Sequence, residues 1–427
     1  MTRQNQSEPV TEPALGGYSS YQSGSDAGAG RVTPFDRWLL NKLMTAIGEP
    51  PVRIRLWDGE EAFRGADEPT ADVTIRDRGA LLGLARNPDL NFGEAYMTGR
   101  IELEGDLVSF LEEVNRALDR ANESENGLLK LLHRQRPPRS NTLERSRHNI
   151  HHHYDLGNDF YGLWLDEEMA YTCAYFPTPE ASLEQAQIAK MDHVARKLRL
   201  QPGETVVEAG CGWGALALHM ARHYGVRVRA FNISKEQLAF ARERAEREGL
   251  DDRVEFVERD YREIDGEYDA FVSVGMLEHV GVDHYRTLGD IIRRRLKRDG
   301  RGLIHTIGRD QPGLMNPWIE KRIFPSAQPP SLAEMMAIFE PYRFSILDVE
   351  NLRLHYAKTL EHWLQRFDRH TDRVEQMFDP AFVRAWRLYL AGSIAAFTTG
   401  GLQLFQVAFT PQGNNDVPLT RDFLYKD

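Results

Sequence analysis

Cysteine is nearly absent from this 427-residue chain: there are two, Cys173 and Cys211. That excludes a disulfide-stapled scaffold and fits a reducing compartment, so a cytoplasmic location is expected. A surplus of positive charge is missing too. Asp and Glu (64) outnumber Lys and Arg (53), giving a formal net charge of −11. A general nucleic-acid binder needs a basic face, so that class is excluded, whereas local basic patches toward a membrane surface are not. The first residues are polar with no apolar core, and no secretory leader is expected. The uncharged run 388–415 has the length of a bilayer span. It is broken by Thr398, Thr399, Gly400, Gly401, Gln403 and Gln406, whereas a spanning helix takes about 20 mainly apolar residues. The run reads instead as a helix ending near Thr399, followed by a buried strand over 402–409.

Residues 1–30 are rich in Ser, Gly, Glu and Gln and poor in aliphatics, so disorder is expected there. Apolar periodicity sets in near Pro34, and 34–132 reads as a small α+β module. It has strands over 52–57 and 71–75 and helices over 80–86 and 106–121. Residues 133–149, with Pro137–Pro138 and many Arg, read as an exposed basic linker. On an anionic lipid surface each basic residue is worth about 1 kcal/mol. The remainder, 150–427, alternates strands near 204–209, 226–231, 254–258, 269–274 and 301–307 with helices such as 235–248 and 284–297. That pattern predicts a doubly wound, mainly parallel α/β sheet. Strands at 343–349 and 402–409 complete it, and two helical insertions, 308–342 and 356–399, are placed to build lids or substrate pockets.

The strand Thr205–Val207 runs into Glu208-Ala-Gly210-Cys-Gly212-Trp-Gly214 and then a helix over 215–224. Glycines at this spacing allow a tight strand-to-helix turn and close approach of a ligand to the backbone. A dinucleotide site would place an acidic residue about 20 residues on. Here the second strand ends in Asn232, Ile233 and Ser234, with Gln237 just inside the next helix. The spacing resembles the S-adenosylmethionine loop of class I methyltransferases.

A more specific resemblance follows from HHYDLGNDFY at 152–161, MAYTCAYF at 169–176, EAGCGWG at 208–214, ISKEQ at 233–237, SVGMLEHVG at 273–281, LIHTIG at 303–308, HYAKTLEHW at 355–363 and LQLFQVAF at 402–409. In order and spacing these resemble the cyclopropane fatty acid synthase family, whose members act with S-adenosylmethionine. The resemblance implies a bound bicarbonate as base, held by Cys173, Glu278, His305, Tyr356 and the main-chain N–H of Ile307. It implies donor contacts from Gly210, Gly212, Tyr171, Thr172, Asn232 and Gln237. Tyr261 is a candidate for stacking near adenine, and Asp260 either bonds the adenine amino group or caps a turn. Taken singly, the four anion residues have ordinary readings: a packed Cys, a core His, a helix-capping Glu and a core Tyr. Their joint occurrence in matching segments favours chemistry. The family often has Thr where Asn232 stands and Cys where Ser393 stands, so no thiolate at 393 is essential here. The run His151–His153 invites a metal, but adjacent imidazoles rarely converge on one ion and no ligand partner has suitable spacing.

The expected activity is transfer of a methylene group to the cis double bond of a phospholipid acyl chain, giving a cyclopropane, by a protein peripheral to the inner membrane face. The open alternatives are a methylene- or methyl-branched product, a small polar acceptor, or a lipid-binding protein without turnover. Oligomeric state is left open, a homodimer included.

Overall fold

The computed structural model describes residues 30–123 and 156–425. The expected disordered start up to residue 29, the basic linker and the His151–His153 run lie outside the described residues.

The N-terminal module holds four strands, β1 (Arg53–Arg55), β2 (Glu61–Arg64), β3 (Ala71–Ile75) and β4 (Ile101–Gly105), in the order β2-β1-β3-β4. Helices Pro34–Ala46, Arg78–Arg86, Pro88–Met97 and Leu107–Glu123 accompany them. The strand expected over 52–57 is cut to three residues because the Leu56 N–H turns back to the Glu60 carbonyl. Strands β2 and β4 and the helices Pro34–Ala46 and Pro88–Met97 were not foreseen from the sequence.

The larger module carries β5 (Thr205–Ala209), β6 (Arg227–Asn232), β7 (Val254–Glu258), β8 (Tyr268–Val274), β9 (Leu296–Arg309), β10 (Phe344–Asn351) and β11 (Leu402–Pro411) in one sheet, ordered β10-β11-β9-β8-β5-β6-β7. Strands β7, β6, β5, β8 and β9 run parallel, while β11 pairs antiparallel with both β9 and β10. Valines 206 and 207 are wholly buried on opposite faces of β5, as a central parallel strand requires. The order reverses beside β5, whose onward connection leads to β6 on one side while β8 lies on the other. The crevice beyond the carboxyl ends of β5 and β8 is therefore the place for a ligand.

Each boundary has a local cause. Asp379 accepts the Phe382 N–H and Pro380 occupies the first turn of Pro380–Thr399, which ends on left-handed Gly400 (φ 93°). This is the helix-then-strand reading of the uncharged run. Among the described residues no helix is long and apolar enough to cross a membrane.

The two modules meet on Pro380–Thr399, in the second insertion, and on Pro317–Arg322. Arg384 donates to the Tyr96 carbonyl at 2.6 Å and the Ile101 carbonyl at 3.0 Å, and its guanidinium lies over the Tyr96 ring. Arg322 forms a two-pronged pair with Glu94 at 2.7 and 2.6 Å. Trp318 fills the space where a Cβ on Gly93 would stand.

Candidate active site

The glycine loop closes β5 onto the helix Ala215–Tyr224. Gly210, Gly212 and Gly214 all have left-handed backbones (φ 86°, 53° and 85°). A Cβ at 210 would strike Met276, and one at 214 would strike Phe256. One at 212 would meet nothing within 4 Å, so space lies open over that residue. Asn232 stands at the end of β6 and donates from Nδ2 to the Gly212 carbonyl at 3.2 Å and to Gln237 Oε1 at 2.9 Å. The two amides thus brace the loop. Asp260 caps the turn Tyr261–Glu263, accepting the Arg262 N–H at 3.0 Å and its guanidinium at 2.6 Å. Of the two roles considered for it, the structure shows the cap. Tyr261 is buried, with the Arg262 guanidinium over its ring.

Tyr171 and Thr172 lie on the segment entering from the N-terminal side. The Tyr171 hydroxyl pairs with that of Tyr389 at 2.8 Å, and Thr172 Oγ1 accepts from the buried Lys190 at 2.8 Å. The same segment delivers Cys173, which is 1% exposed. Its thiol donates to the Ala174 carbonyl at 3.2 Å and more weakly to Leu352 at 4.0 Å. The Leu352 carbonyl also accepts the Tyr356 N–H, and the Leu352 N–H bonds Leu404 on β11. Leu404 lies opposite Ile307 on β9. The Ile307 N–H donates to Glu278 Oε1 at 2.6 Å, and the amide before that glutamate's helix, Gly275 N–H, bonds the His305 carbonyl at 2.9 Å. Main-chain pairing thus sets the segments of Tyr356, Ile307, Glu278 and His305 side by side, with the Cys173 thiol at their Leu352 end. One expectation changes form: the Ile307 N–H is engaged by Glu278 and does not point freely at an anion. No direct hydrogen bond joins Glu278 to His305 either; what orients the histidine is Gln406, whose Nε2 lies 3.0 Å from His305 Nδ1.

Burial dominates the electrostatics. Desolvation raises the Glu278 carboxyl to about 7, against the pull of the Ile307 N–H. It holds His305 well below the usual imidazole range, helped by Lys190 and Lys197, and pushes the Cys173 thiol far up. At neutral pH the set therefore offers a neutral imidazole, a thiol and a carboxyl poised between its two states. Glu278 Oε2 and His305 Nε2 are both buried with no hydrogen-bond partner among the described residues. An aromatic wall reaches the set at Tyr356, whose ring lies 5.9 Å from that of Trp363: Tyr161, Trp164, Tyr171, Trp363 and Trp386 pack with centroid separations of 5.2–6.5 Å, and Trp213 lies 5.0 Å from Tyr161. Gln406, Lys190 and Tyr389 were not singled out from sequence. Only Gln406 left a trace there, as a polar break in the apolar run LFQVAF.

Residues 141–407 match the family model described as mycolic acid cyclopropane synthetase. The chain belongs to this family. Residues 39–126 match a separate domain of unknown function. A probable fatty acid methyltransferase of Pseudomonas putida is 38% identical over 394 residues, covering 88% of this chain and 96% of that one. The cyclopropane-fatty-acyl-phospholipid synthase of Escherichia coli K12 is 36% identical over 354 residues, covering 82% and 91%. The solved mycolic acid cyclopropane synthase CmaA1, complexed with SAH and CTAB, superposes with a TM-score of 0.59 at 29% identity over 62% of this chain and 97% of its own. This member of the family is an S-adenosylmethionine-dependent methyltransferase with a class I fold and an additional N-terminal module. The residues fit that donor: the loop leaves open space over Gly212, and the Asn232 and Gln237 amides stand beside it.

Proposed function

We propose that the protein transfers a methylene group from S-adenosylmethionine to the cis double bond of an unsaturated phospholipid acyl chain, forming a cyclopropane. The observation that carries this reading is the pair of buried, unpaired polar atoms, Glu278 Oε2 and His305 Nε2. A buried polar atom left unpaired costs about 1–3 kcal/mol, so these two, one on β9 and one on the helix that follows β8, call for a polar occupant. Methyl addition to an isolated double bond leaves positive charge on the chain, and ring closure requires loss of a proton from the added methyl. Cys173, Glu278, His305 and Tyr356 would hold a bicarbonate for that proton. When bound, the methyl donor supplies the electrophile and the bicarbonate a weak base.

This chain's own residues do the rest. The His305 ring, kept neutral by burial, donates to the anion. Glu278, poised near 7, takes or returns the anion's hydroxyl proton, and the Ile307 N–H holds the carboxylate in place. The aromatic wall excludes water and presents ring faces to a passing cation. Action on membrane lipid places the protein at the inner face of the membrane as a peripheral partner of the bilayer, with the N-terminal module and the basic linker as its footing.

The test is incubation with isotopically labelled donor and unsaturated phospholipid vesicles. Mass spectrometry should show a gain of one CH2, and NMR should show upfield ring protons. Absence of label in the lipid would sink the reading. The Pseudomonas relative's description supports a second product, a methyl- or methylene-branched chain. The same NMR spectrum separates the two, because exocyclic methylene protons resonate far from ring protons.

A further inference from the structure

We propose that Gln406 is a positioning residue that fixes the tautomer of His305, so that the ring presents Nε2–H, and not a lone pair, to the anion beside Glu278. Its purpose rests on the anion reading above; its structural half does not.

Gln406 faces His305 directly across the β11–β9 pair and is wholly buried. As the amide stands, its Nε2, a donor only, meets His305 Nδ1 at 3.0 Å, which makes Nδ1 the accepting, bare nitrogen and leaves Gln406 Oε1 buried without a partner among the described residues. Desolvation keeps this imidazole neutral, with a single ring proton. That proton then resides on Nε2, the atom found buried and without a partner among the described residues. Turning the amide over would aim Oε1 at Nδ1 and draw the proton there. His305 would then show a lone pair where Glu278 Oε2 already shows an acceptor, and an anion would meet acceptors from both. One amide on a neighbouring strand thereby decides whether this edge of the site contains a donor.

The first test reads the ring directly. The full-length protein is labelled with 15N-histidine, and long-range 1H–15N correlation is recorded at neutral pH, with His305 assigned by the signals lost in His305→Gln. The wild-type ring should show an unprotonated Nδ1 and a protonated Nε2. In Gln406→Glu, whose carboxyl when ionised only accepts, the proton should move to Nδ1. Turnover should fall at least tenfold and the bicarbonate concentration for half-maximal rate should rise at least tenfold, with calorimetric donor affinity unchanged. Gln406→Met, of similar volume, removes the donor without imposing the other tautomer and should give mixed ring signals and an intermediate rate. A wild-type His305 protonated on Nδ1, or a ring unaltered in both variants, would overturn the proposal. If the tautomer moves as stated while turnover ignores bicarbonate, the positioning role stands and the anion reading fails.

Discussion

Glu278 and Glu208 show how burial sets chemistry one side chain at a time. The Glu278 carboxyl titrates near 7, and the proposed work needs its ionised form to receive a hydrogen bond. The rate should therefore fall about tenfold per unit as pH drops below 7, and Glu278→Gln should abolish that limb. The same variant should lower turnover at least 100-fold while calorimetric donor affinity stays within twofold; equal turnover would remove Glu278 from the chemistry. Glu208, buried in β5 beside the loop, is pushed by desolvation to about 8 from an ordinary 4.5, partly offset by Lys190. Between those values the folded chain keeps a proton that the unfolded chain releases. The group's contribution to stability is thus complete below 4.5 and is lost as pH rises through 8. Glu208→Gln should raise the melting temperature at pH 8 by several degrees and change it little at pH 5, as read by calorimetry. An unchanged difference across that range would contradict the assignment.

Helices and strands were legible where a single signal ruled them. Strands β5 to β8 fall within one or two residues of their expected bounds, because short apolar runs there end in Gly, Asn or Asp. Strands β2 (EAFR) and β4 (IELEG) were hidden because half-exposed edge strands carry polar residues on both faces. The site was legible as a set of residue types, and main-chain pairing sets the segments of Tyr356, Glu278 and His305 on neighbouring elements, with the Cys173 thiol against the Leu352 carbonyl. Their partners were not legible. That Asn232 bonds Gln237 and Gly212, or that Gln406 meets His305, depends on register and rotamer, which no spacing encodes. The loop gives a test at its own scale. Gly212 combines positive φ with open space, so Gly212→Val should strain the backbone and fill the cradle. Donor affinity by calorimetry should fall at least 30-fold with the melting curve still cooperative. Unaltered binding would place the donor elsewhere.

Across the whole molecule, the small module docks on the insertion helix Pro380–Thr399, which carries Trp386 and Tyr389. Gly93 is a tight point of the contact between the modules, because any side chain there must displace the Trp318 indole. Gly93→Val should cost about 1–3 kcal/mol by overpacking, lowering the melting temperature by several degrees and opening the seam to limited proteolysis. Protease resistance equal to wild type would show the seam to be more compliant than its packing suggests.

Strand β11 is the last strand in chain order among the described residues, yet it sits inside the sheet, between β10 and β9. It brings Gln406 and the partner of Ile307 with it. A ribosome that has made all of β5 to β10 has therefore produced a sheet with a gap, in which His305 lacks its neighbour. The proposed anion site is complete only when the final segment threads home, so synthesis arrested before that strand should yield chains that carry the glycine loop but lack the neighbour that faces His305.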